Sequence, residues 1–155
     1  MDRLSLYSSI TELLYNSRSL QNQIEKNELD LKLQAISLRY KLSSDMITQQ
    51  LIRQQKIEKI ESLKKNRDEN LIKALYNTIY IIKIEFNDKI ELLFSIGNLA
   101  LSNIISFLDT YKINLNIPMQ VKLDIKKIKT ESVLIYKGIE SIELINKLDR
   151  LLMYC

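Results

Sequence analysis

Apolar residues recur at helical spacing along most of this chain, and three stretches carry the pattern in different ways. In the first, Leu31, Ala35, Leu38 and Leu42 follow a 4-3-4 spacing, and Ile57, Ile60 and Leu63 a 3-3 spacing. Asp45 and Gln49 fall where the first row would continue, so Ser43-Ser44-Asp45 is a candidate break at which Ser or Asp could cap a new helix. The alternative is one continuous helix with a register shift, and the pattern predicts that helix over residues 3–66. Lys64-Lys65-Asn66-Arg67 then precede Asp68-Glu69-Asn70, with Asn66 and Glu69 at capping-box spacing. Basic residues before acidic ones suit a helix C-terminus followed by an N-terminus, which predicts a turn here.

The second stretch, 70–112, is the most regular. Leu71, Leu75, Ile79, Ile82, Phe86, Ile90, Leu93, Gly97, Leu101, Ile104 and Leu108 repeat in a 4-4-3 pattern, an eleven-residue period close to that of a straight helix. A polar row of Ser95, Asn98, Ser102, Ser106 and Asp109 runs along one face. The remaining surface is apolar, which predicts a central helix covered by several neighbours. Tyr76, Tyr80, Phe86, Phe94, Phe107 and Tyr111 are expected to pack in its core.

Asn114-Leu115-Asn116-Ile117-Pro118 ends that helix, and Pro118 suits the start of a third over 118–153. Val121, Ile128, Ile135 and Ile142 are spaced by seven, with Ile125 and Ile139 between them and Ser132 and Asn146 at the other core positions. That is a heptad pattern of coiled-coil type. One signal competes with it. Ile113, Leu115, Ile117, Met119, Val121, Leu123 and Ile125 alternate as a strand would, and residues 79–86 are rich in β-branched and aromatic side chains. Pairing of 79–86 with 113–125 would make an α+β protein.

Composition favours the helical reading. Two glycines and one proline in 155 residues cannot punctuate a β-sandwich or barrel. The expected fold is therefore all-α, one domain over 1–155 with three long amphipathic helices in an antiparallel bundle or extended coiled coil.

Chemistry is narrowed by what the chain lacks. It has no histidine and a single cysteine, Cys155, so Ser-His-Asp and Cys-His catalysis, Glu-x-x-His di-iron sites and Cys-based zinc sites are excluded. No glycine-rich loop offers a phosphate cradle. Glu85, Asp88 and Glu91 share a helical face, but a solvated stripe accounts for them. No catalytic residue, metal or cofactor is expected, and the protein is read as not an enzyme. The opening residues Met1-Asp2-Arg3-Leu4-Ser5 lack the apolar run of a signal peptide. With one cysteine, a cytoplasmic setting is expected, a nuclear or intravirion one being compatible.

Three kinds of partner follow. Protein is the first: helices of unequal length leave apolar surface, and Leu4, Tyr7, Ile10, Leu13 and Leu14, with Val121, Ile128, Ile135 and Ile142, are the candidate interface of a homo- or hetero-oligomer. The chain then reads as a helical subunit or scaffold. Nucleic acid is the second. The net charge is +4, and basic residues gather over 53–67 (Arg53, Lys56, Lys59, Lys64, Lys65, Arg67) and 122–129 (Lys122, Lys126, Lys127, Lys129). Acidic residues dilute both clusters. A membrane is the third: Leu92–Leu108 is uncharged for 17 residues, but five Ser or Asn residues make it a poor span.

Overall fold

A computed structural model of the chain describes residues 3–40, 46–88, 91–135 and 139–154, with side chains at 5–36, 47–83, 96–130 and 142–154. Five helices stand among the described residues: α1 (Arg3–Tyr40), α2 (Met46–Asp88), α3 (Glu91–Tyr111), α4 (Met119–Ile135) and α5 (Ile139–Leu152). There is no strand among them, so the all-α expectation holds and the pairing of 79–86 with 113–125 does not occur.

The expected break between 112 and 118 is present, with α3 ending at Tyr111 and α4 beginning at Met119, and the rest of the division into three helices is corrected. The expected helix 3–66 is two elements, α1 ending at Tyr40 and α2 beginning at Met46, and the candidate cap Ser43–Asp45 lies outside the described residues. The expected turn at 66–70 is instead the middle of α2. Helix-favouring residues run through it without Gly or Pro, and enclosed positions continue at helical spacing through Ile60, Arg67, Leu71, Ala74 and Thr78. The helix expected over 70–112 is divided between α2 and α3, with residues 89–90 outside the description. The helix expected over 118–153 is divided between α4 and α5, and Gly138 lies in the undescribed link.

The chain forms two compact units, Met1–Leu14 with Leu71–Cys155, and Tyr15–Asn70. The first holds the apolar core. Leu6 and Ile10 of α1, Leu71, Leu75, Ile79 and Ile82 of α2, Leu101, Ile104 and Leu108 of α3, Val121, Ile125 and Ile128 of α4, and Leu144, Leu148 and Leu151 of α5 are all buried in one cluster. The eleven-residue repeat is thus the buried face of α2 and α3 wherever its side chains are described. In α5 the heptad reading is corrected. The buried row is 144, 148 and 151, while Ile142 is 59% exposed and Asn146 faces solvent.

Between α3 and α4 the alternation seen in the sequence is real but short. Ile113, Leu115 and Ile117 are buried and Asn114 and Asn116 exposed, in irregular chain that belongs to no strand. Lys112 enters this segment with a positive φ of 51°. Ile113 N–H donates to Leu108 O (3.0 Å) and Lys112 N–H to Asp109 O (3.4 Å), the double closure of a Schellman turn, with Leu108 and Ile113 both in the core. Val121 and Lys122 N–H both donate to Pro118 O, which opens α4, and proline suits this place because an N–H at a helix start has no intrahelical acceptor.

The second unit is a helical hairpin. Arg67 bonds Gln21 (2.7 Å), Lys64 pairs with Glu28 (3.4 Å), Lys56 with Asp30 (3.0 Å), and Gln34 bonds Gln49 (3.3 Å). As α1 numbers rise, α2 numbers fall, so the two helices run antiparallel.

Candidate interaction surfaces

The hairpin is an amphipathic pair turned partly inside out. Its enclosed positions are Ser17, Gln21, Ile24 and Asn27 on α1, with Ile60 and Arg67 on α2. The polar members are satisfied. Arg67 donates to Gln21 Oε1 from Nη1 and to Asp68 Oδ1 from Nε (3.0 Å), and Asn27 Nδ2 donates to Gln23 O (2.7 Å). A buried guanidinium requires such partners, because an unpaired buried charge is strongly destabilising.

Several apolar side chains of this unit point the other way. Leu29, Leu33 and Ile36 on α1, and Ile47 and Leu51 on α2, are more than half exposed, Ile47 at 83%. At 100° per residue, each row lies on the side of its helix opposite the seam. The hairpin therefore presents two apolar rows on opposite flanks rather than one groove. Tyr15 and Ile52 add exposed apolar surface to it.

In the core unit, the polar row of α3 turns toward α5. Lys147 Nζ donates to Asn98 O and Oδ1, Ser102 Oγ donates to Asn98 O (3.1 Å), and Arg150 pairs with Asp109. Ser102, Asp109, Lys147 and Arg150 border an open groove of about 680 Å³, lined also by Ile105, Ser106, Thr110 and Glu143. Partial burial lowers the Lys147 pKa from its usual value, with nearby Glu143 opposing the shift. Lys83–Asp124 (3.0 Å) and Lys129–Asp149 are further pairs in this unit.

The residues singled out from sequence fall in different environments. Ile10, Val121 and Ile128 are in the core, and Tyr7, Leu13 and Leu14 are half-buried, the two leucines against that core. Ile142 is exposed, and the side chains of Leu4 and Ile135 lie outside the description. In the 53–67 cluster, Lys56, Lys64 and Arg67 are paired with acids, leaving Arg53, Lys59 and Lys65 at the surface. Lys126 and Lys127 are exposed, while Lys129 is paired.

The aromatic expectation is corrected in part. Phe107 is buried with Tyr111 against it (ring centroids 4.9 Å apart), but Tyr76 and Tyr80 are exposed, and the Phe86 and Phe94 side chains lie outside the description. The outer rows of the hairpin were missed by sequence reasoning. Leu29, Leu33 and Ile36 carry the 4-3 spacing of any buried row, so spacing alone could not mark them as outward.

Among the described residues no three Asp, Glu, His or Cys side chains gather as a metal site, and no helix is long and apolar enough to cross a membrane. No family model, curated protein or solved structure matches this chain.

Proposed function

We propose that this protein is a non-enzymatic structural or interaction protein, a helical subunit or scaffold that lends helix faces to a homo- or hetero-oligomeric assembly. The observation that carries this reading is the pair of outward apolar rows on the hairpin, Leu29-Leu33-Ile36 and Ile47-Leu51. Full burial of a Leu or Ile is worth about 1.5–3 kcal/mol, so covering these five half-exposed side chains recovers on the order of 5 kcal/mol. Association itself costs at least about 4 kcal/mol, so the rows support a complex that other contacts must complete. Coiled-coil packing of a partner helix along each row is the arrangement that suits their spacing. A cytoplasmic setting accords with a chain whose one cysteine has no partner in the same chain.

Nucleic acid and membrane are less well supported. Half of the six basic residues in the 53–67 cluster already neutralise acids of the same hairpin, and the uncharged run of α3 contributes Leu101, Ile104 and Leu108 to the core.

The test combines light scattering on the pure chain over a micromolar concentration range with a native pull-down. The native chain should associate with itself or retain a stoichiometric partner, and Leu33→Gln with Leu51→Gln should abolish this without loss of helix content. A monodisperse monomer that retains no partner would defeat the proposal.

A further inference from the structure

The hairpin Tyr15–Asn70 has as much helix as many stable domains but little of what holds helices together. Among its described side chains only Ile24 and Ile60 are buried apolar groups, and Ser17, Gln21, Asn27 and Arg67 fill the other enclosed positions. Helices in water owe most of their stability to packing of an apolar face. A satisfied polar seam returns only a small net gain, because the same groups are hydrogen-bonded to water when the helices part. The other unit has a contiguous core drawn from all five helices. Regions with few buried apolar contacts open first.

We propose that the hairpin is a locally unfolding element. Residues 15–40 and 46–70 separate and re-form within the folded protein while the apolar core of the other unit stays closed. The polar seam sets the register in which they return. Arg67 is the reason: its guanidinium is buried and is held by Gln21 across the seam and Asp68 beside it. A slip of one turn would carry that charge away from Gln21 toward Ser17 or Ile24. Polar groups at helix seams fix register in this way, at a cost in stability. Ile24 and Ile60 lie at levels bracketed by the Arg67–Gln21 and Lys56–Asp30 pairs and would tolerate the slip. The inference does not depend on whether the outer rows take a partner.

Hydrogen exchange read by mass spectrometry on the full chain tests it, over a hundredfold range of protein concentration so that association is seen separately. At the lowest concentration, amides of 15–40 and 46–70 should exchange at least about 100-fold faster than those of 71–82 and 100–108. Replacing the seam by Gln21→Leu, Asn27→Leu and Arg67→Leu should slow hairpin exchange at least about tenfold and leave core exchange unchanged. Equal protection of the two units in the native chain overturns the proposal, whatever the variant does. Spin labels at Lys26→Cys and Lys59→Cys in a Cys155→Ser background read the register. The native seam should give one distance population and the apolar seam more than one. A single population in both overturns the register role.

Discussion

Lys112 holds a left-handed backbone at the end of α3 without the freedom that glycine would have there. That conformation costs a side chain with a Cβ about 1–2 kcal/mol, against about 0.5–1 kcal/mol of extra unfolded-state freedom for glycine. Lys112→Gly should therefore raise stability by about 0.5–1 kcal/mol in urea denaturation. Lys147 gives a pH-dependent counterpart. Its folded pKa lies below the usual 10.5, so between the two values the unfolded chain binds more protons. Stability of the native chain relative to Lys147→Gln should then increase as pH rises toward 10.5, measured as the difference in denaturation midpoints at pH 7 and pH 10. A difference that is flat or falls with pH would contradict desolvation as the dominant influence. At this scale the sequence was legible only where geometry is local. Pro118 and the alternation Ile113-Leu115-Ile117 could be read directly, whereas the outward turn of Tyr76 and Tyr80 depends on which neighbours α2 meets.

Helices announce themselves by period, and outside residues 66–70 the described helices lie where the apolar spacing placed helix. Their ends were less legible, because helix boundaries depend on tertiary burial as much as on caps. Asn66 and Glu69 have capping-box spacing, yet α2 continues through them because Arg67 can occupy an enclosed position when Gln21 and Asp68 satisfy it. The α5 register failed for a related reason. Ile142 continues the heptad of α4 in the sequence, but α5 is a separate helix and need not keep the register of α4. Leu144, Leu148 and Leu151 form its buried row instead. Leu148→Ala should cost about 2–5 kcal/mol, and Ile142→Ala no more than about 0.5 kcal/mol, in thermal or urea unfolding. Similar losses at both positions would restore the heptad reading.

For the molecule as a whole, charge and surface decide what the chain can meet. A net charge of +4 with much of the 53–67 cluster paired predicts weak, non-specific adhesion to nucleic acid. Fluorescence anisotropy with a duplex oligonucleotide should show binding that falls steeply between 50 and 200 mM salt, the range over which phosphate contacts lose most affinity. Arg53→Glu, Lys59→Glu and Lys65→Glu together should remove it without destabilising the fold, since all three are exposed. Salt-insensitive binding that survives these changes would identify nucleic acid as a specific partner. The candidate site was the least legible feature of the sequence. An apolar row reads the same whether it faces its own core or another chain, and only the polar seam of the hairpin reveals that Leu29, Leu33 and Ile36 face outward.

The alternating segment from Ile113 to Ile117, within the connection between α3 and α4, bears on how this gene can be edited. Connections on protein surfaces ordinarily accept a tag, a cleavage site or a lost residue with little effect. Here side chains alternate inward and outward, so adding or deleting one residue exchanges Ile113, Leu115 and Ile117 for Asn114 and Asn116 on the inner side. This stretch of irregular backbone is thus governed by parity. Changes of two residues preserve the inward set over part of the segment, and changes of one invert it. A reading frame of two is imposed on a connector that looks like free space.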